Sequence, residues 1–144
     1  MMSASMQGAM AFQKGLGCVH SLSHSLGGVN PKLHHGTLNA LFLPAVIRFN
    51  ASAESVRRDS RMQRMAYAMG LGDVSDSQRA AEVIAKAIVV MNARLGLPSG
   101  LSALGVTPTL FDAVIEGAMA DHCHKLNPRL ATRDDYREML KNSL

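Results

Sequence analysis

The sequence predicts an all-α fold, a compact set of several helices, and three features of its 144 residues point there. Apolar side chains recur at three- and four-residue intervals in one segment after another, the period that gives a helix a single apolar face. The composition leans towards helix, with ten Met, four Phe, two Tyr and no Trp, and it offers little of the alternating β-branched and aromatic sequence that strands use. Gly and Pro fall mostly between the periodic segments, where they punctuate them.

Taken in order, Met2, Met6, Ala9 and Met10 share one helical face, so the chain opens already inside a helix, without a capping residue. Gly15 and Gly17 break it. A short helix follows from about 17 to 26 and stops at Gly27-Gly28, ahead of a turn at Val29-Asn30-Pro31-Lys32. The clearest pattern spans about 34–50, where Leu38, Leu41, Phe42, Ala45, Val46 and Phe49 keep helical spacing. Pro44 inside it removes one backbone donor and predicts a kink.

A fourth helix carries Met62, Met65, Ala66 and Met69 inward and ends near Gly70-Leu71-Gly72. Ser75 or Asp76 caps a fifth, with Ile84, Ala87, Ile88, Met91 and Leu95 facing the core. After a loop at 96–100, Thr107-Pro108 opens a sixth helix whose core face reads Phe111, Val114, Ile115, Ala118, Met119 and His122. His124 and Lys125 sit near a helix end, where cations suit the dipole. Thr132 and Asp135 frame a capping box for a last helix bearing Tyr136, Met139 and Leu140. With no internal repeat and no low-complexity linker, residues 1–144 read as one domain.

A net charge of +4 is modest, and 4% aromatic content is too low for nucleic-acid stacking platforms. The basic run from Arg57 to Arg64 reads as a solvated helix face, so no nucleic-acid partner is expected. Cys18 and Cys123 are far apart, outside any CxxC, and no secretory leader precedes them, which fits free thiols in a cytoplasmic setting. The most apolar window, 85–91, is too short to span a membrane and contains Lys86.

Four of the six histidines fall at 20, 24, 34 and 35. His20 and His24 are four apart and neighbours on one helix face, which Ser23 and Gly27 leave open. A turn separates them from His34 and His35, and a helical hairpin would bring that pair alongside. Imidazole is the commonest protein ligand for first-row metals. The segment His-Ser-Leu-Ser-His lacks the glutamate of a zincin, which disfavours metalloprotease chemistry. Acids are scarce nearby, the first being Glu54, and Asp112 and Glu116 read as a solvated acidic face. Two or three good ligands fall short of the four that a closed zinc site takes.

The stretch Gly15-Leu-Gly-Cys-Val-His20-Ser-Leu-Ser-His24-Ser-Leu-Gly27, with His35-Gly36-x-x-Asn39-Ala40-x-x-x-Pro44 behind it, resembles the histidine segment of iron-containing alcohol dehydrogenases. The tail Asp121-His-Cys123-His-Lys-Leu-Asn127-Pro128-Arg129 resembles that family's D-x-C-x3-N-P-R marker. The resemblance covers the whole chain.

It implies an N-terminal nucleotide-binding α/β domain, a C-terminal helical domain, and Fe2+ or Zn2+ held between them by one Asp and three His. His20 and His35 take the places of the last two ligands, and His34 is the alternative to His35. His24 matches a non-ligand histidine that relays a proton, and Cys123 a position lining the substrate cleft. The Asp-x3-His pair supplying the first two ligands, and a glycine-rich strand-turn-helix for NAD or NADP, do not occur in these 144 residues. The chain therefore reads as the C-terminal part of such an enzyme, a homo-oligomer interconverting small alcohols and aldehydes, and as inactive alone. The alternative is a free-standing helical module that binds metal or mediates association without catalysis.

Overall fold

The computed structural model describes residues 2–144, and among them there are eight α-helices, several 3-10 turns and no strand. The helices are α1 (Met2–Ala11), α2 (Cys18–Val29), α3 (His35–Asn50), α4 (Glu54–Arg58), α5 (Arg61–Ala68), α6 (Ser77–Arg94), α7 (Phe111–Ala120) and α8 (Arg133–Lys141). No helix among the described residues is long and apolar enough to cross a membrane.

The central element is α3. One side of it joins α2, α7 and α8 around Leu22, Leu26, Leu38, Phe42, Ile115 and Leu140. The other lies on α6, where Ile47 meets Ala80, Ala81, Ile84 and Ile88 over Met62 and Ala66 of α5. Helix α3 continues through Pro44. Proline has no N–H to give the carbonyl four residues back, so the Ala40 oxygen loses its helical donor. The half-amide of Asn92, buried on α6, donates to that oxygen at 2.9 Å. One side chain thus repairs the helix and ties it to its neighbour.

Helices α2 and α7 approach closely where Ser25 meets Gly117. Any Cβ at 117 would collide with the Ser25 side chain, whose hydroxyl donates to the Val114 carbonyl at 2.7 Å. Helix α8 starts with the expected capping box between Thr132 and Asp135. It also pairs with α7: Arg137 with Asp112 at 2.7 Å, and Arg133 with Glu116. The acidic face of α7 is exposed, as its sequence suggests, and it is also ion-paired.

The periodic readings fail at several points. Helix α2 runs through Gly27-Gly28 to Val29, since neither glycine takes the left-handed conformation that would end it. Met65 on α5 and Met91 on α6, with Met69 and Leu95 just past the ends of those helices, face solvent. The buried side of α6 is instead built from Ala80, Ala81, Ile84, Ala85, Ile88 and Asn92, because small residues let it lie tightly on α3 and α5. His122 lies beyond the end of α7 and is exposed, whereas His124 is buried with its Nδ1 2.9 Å from the Tyr136 hydroxyl. Helix α1 forms, but its side chains, Met2, Met6 and Met10 included, are exposed. The basic run divides between α4 and α5 at a left-handed Ser60. There Arg58 and Arg61 grip Asp59 and hold its carboxyl down at about 2 through their hydrogen bonds.

Replacing Asn92 by Leu leaves the Ala40 carbonyl buried without a donor, at an expected cost of about 1–3 kcal/mol. In a Pro44→Ala background, where the helix can supply its own donor, the same replacement should cost clearly less. A double-mutant cycle in urea with no coupling between the two positions would refute this account of Asn92.

Candidate metal and proton-transfer site

The imidazoles of His20, His24 and His35 converge, with ring centroids 5.6 Å apart for the first pair, 5.4 Å for His20–His35 and 5.2 Å for His24–His35. The local chain dictates this. Helix α2 starts beyond Gly17, where its first free N–H, that of Cys18, donates to Asn127 Oδ1 at 3.1 Å. A Cβ on Gly17 would overlap that amide oxygen. Cys18, Leu22 and Leu26 then point into the core, which leaves the stripe of His20 and His24 turned outwards. Helix α3 opens with His34 as its capping residue, Nδ1 facing the Thr37 N–H at 3.4 Å. That contact takes His34 out of the histidine group and places His35, the next residue, within it.

The hydrogen bonds assign the tautomers. The Ser23 hydroxyl donates to the His20 carbonyl, so its oxygen accepts from His35 Nδ1, 3.3 Å away. The His35 Nε2 lone pair is then free and faces the Asn39 amide nitrogen at 3.0 Å, and His20 Nε2 lies 3.4 Å from that same nitrogen. Two imidazole lone pairs thus look at one donor. The other amide atom, Asn39 Oδ1, is buried without a partner.

His24 has a different partner. Its Nδ1 lies 3.0 Å from Asp121 Oδ2, which leaves Nε2 as its open base. Burial alone would raise the Asp121 carboxyl, but the backbone N–H of Cys123 and the His24 ring hold it below the usual carboxylate range. Cys123 is buried behind this pair with Sγ 3.3 Å from His122 Nε2; burial and the Asp121 carboxylate push its thiol up to about 11.

The expectation that acids are absent from the cluster is therefore wrong, since Asp121 arrives from 97 residues away. Asn39 and Asp121 stand in the family-like motifs but carry no periodic signal, and His122 reads as core by helical spacing. The motif Asp-x-Cys next to a capping turn was the one sequence feature that could have found Asp121.

A family model described as "Fe-containing alcohol dehydrogenase family, C-terminal" matches residues 1–144. The chain belongs to the iron-containing alcohol dehydrogenase family. A 4-hydroxybutyrate dehydrogenase from Cupriavidus necator is 59% identical over 148 residues, covering 100% of this chain and 37% of the relative. The NAD-dependent methanol dehydrogenase of Bacillus methanolicus is 37% identical over 134 residues, 90% of this chain and 33% of that enzyme. Among solved structures, the alcohol dehydrogenase from Oenococcus oeni superposes with a TM-score of 0.79 at 30% identity, covering 90% of this chain and 33% of that one. These relatives are oxidoreductases, and the chain spans about a third of their length. The all-helical fold is that of the family's C-terminal domain.

Burial, reinforced by the neighbouring His35 and His24, lowers the His20 pKa from its ordinary 6.5. The unfolded chain consequently binds the proton more readily, so this residue makes stability fall as pH drops through 6.5 towards the folded value. In chelator-treated protein, His20→Gln should flatten the pH dependence of urea unfolding across that interval. Parallel curves for the two proteins would contradict the assignment.

Proposed function

We propose that this chain supplies the metal-binding and proton-relay half of an NAD(P)-dependent alcohol dehydrogenase acting on small primary alcohols and their aldehydes. The observation that carries this reading is the aim of His20 Nε2 and His35 Nε2 at one shared donor, the Asn39 amide. Two lone pairs directed at one positively polarised NH2 make a donor set suited to a first-row cation, and the partnerless Asn39 Oδ1 gives the amide no tie against turning away. His20 and His35 would hold Fe2+ or Zn2+. His34, engaged as a cap, would not. A metal bound there supplies Lewis acidity, lowering the pKa of an alcohol and polarising an aldehyde carbonyl.

The remaining work belongs to this chain's side chains. Ser23 fixes His35 in the tautomer that keeps Nε2 unprotonated. Asp121 holds the His24 Nδ1 proton and orients the ring, while Nε2 passes a proton between the alcohol oxygen and solvent. His24 is suited to that transfer because its side chain is 36% exposed, reachable by water yet anchored. Cys123, behind the Asp121–His24 pair, would shape the cleft.

Two ligands are half of a tetrahedral shell. The others, and the nucleotide site, would come from an N-terminal nucleotide-binding domain such as the resemblance implies. Names of relatives that share this segment, 4-hydroxybutyrate, methanol and 1-propanol dehydrogenases, fit a primary alcohol as substrate class.

The chain alone should not reduce NAD or NADP with any alcohol in the presence of iron or zinc. Joined in frame behind the N-terminal part of the Cupriavidus relative, it should. Turnover by the chain alone, or an inactive but folded fusion, would sink the proposal. In the active fusion, His24→Ala should lower kcat by about 10²–10⁴-fold and Asp121→Asn should lower it in the same direction. His20→Ala/His35→Ala should instead lose the metal itself, as read by elemental analysis.

A further inference from the structure

Around the carboxylate that meets His24 Nδ1, a second set of donor atoms comes together. One ligand atom each from His24, Asp121 and Cys123 lies within 4.8 Å of the others. His122 lies beside this group, with its Nε2 3.3 Å from Cys123 Sγ and its Nδ1 3.8 Å from Asp121 Oδ2. The capping turn explains why Asp121 bonds the Cys123 N–H at 2.8 Å. It does not explain why a thiol and two imidazoles collect around the same carboxylate.

Neither His20 nor His35 is a member of this group, and their Nε2 atoms face Asn39 instead. The donor types are also different: one sulfur, one carboxylate oxygen and two ring nitrogens, a combination that suits zinc and similar borderline cations and does not suit magnesium or calcium. The thiol is buried, but the His122 ring beside it is exposed, so that side of the group faces solvent.

We propose that His24, Asp121 and Cys123, completed by His122, form a second cation site for zinc, separate from the His20–His35 pair. Coordination exchanges the Cys123 thiol proton for the metal and releases that proton to solvent. If His24 binds through Nδ1, its ring proton moves to Nε2, and the lone pair assigned above to proton transfer is gone. Zinc in this site is therefore an inhibitor. That last consequence rests on the role proposed for His24, whereas the binding does not.

The test uses Co2+ and Zn2+ on the full chain, since thiolate ligation of cobalt produces a charge-transfer absorption that imidazole and carboxylate ligation lack. The band should appear in the full chain and be bleached by zinc. It should persist in His20→Ala/His35→Ala and in Cys18→Ala, and vanish in Cys123→Ser. The surface variant His122→Ala, which leaves the fold untouched, should weaken cobalt binding by roughly tenfold or more. Absence of the band at saturating cobalt in a chain with its helical circular dichroism intact would overturn the proposal. So would loss of the band in the His20→Ala/His35→Ala variant, which would place the thiol in the other site. In the fused enzyme, zinc should lower kcat, and His122→Ala should need roughly tenfold more zinc for the same effect. Zinc binding without inhibition would leave the site standing and remove the consequence drawn for His24.

Discussion

The Asn127 side chain is the tie on which the site depends. Its oxygen takes the N–H that α2 leaves unsatisfied at Cys18, and its amide nitrogen donates to Asn50 Oδ1 and to the Arg129 carbonyl, both at 2.7 Å. The start of α2, the end of α3 and the tail that follows α7 are thereby held to one residue. His20 lies two residues along α2 from the capped N–H, and Asp121 is six residues upstream on the tail. A polar side chain in part-buried surroundings, with all of its groups matched, can fix such a junction in a way that apolar contact cannot, because hydrogen bonds specify direction as well as distance.

From that junction the two halves of the chemistry separate cleanly. Ser23 and Asn39 address His35 and His20, setting tautomers and keeping two lone pairs turned to one place. Asp121 hydrogen-bonds His24 at Nδ1. Three imidazoles with centroids 5.2 to 5.6 Å apart would be expected to behave alike, and what sets them apart is the partner each ring has: Asn39 at His20 Nε2, Ser23 at His35 Nδ1 and Asp121 at His24 Nδ1.

Much of this was legible in the sequence where a physical rule had something to act on. Apolar periodicity located α3 and α7, and the Thr132–Asp135 pair marked the start of α8. Quantities that depend on partners were not legible. Met91 and Leu95 have the right spacing for a core face, yet α6 turns Ala81, Ile84, Ala85, Ile88 and Asn92 inwards and leaves those two side chains in solvent. His122 extends the apolar stripe of α7 on paper, but the helix stops at Ala120. Of the site, His20, His24 and His35 stood out as a cluster. Asp121 and Asn39 did not, because a single acid or amide in a non-repeating segment acquires meaning only when the fold brings it across.

The arrangement of the core around α3 has a consequence for how the molecule opens. The residues packed with α2, α7 and α8 form one hydrophobic cluster and those packed with α5 and α6 another, with α3 common to both. Every group of the histidine site belongs to helices or turns of the first. Such clusters are the natural units of sub-global opening. Amide protons of α5 and the outer turns of α6 can therefore exchange through excursions that leave the imidazoles in register, while the Asn92 link to Ala40 sets how far those excursions spread into α3.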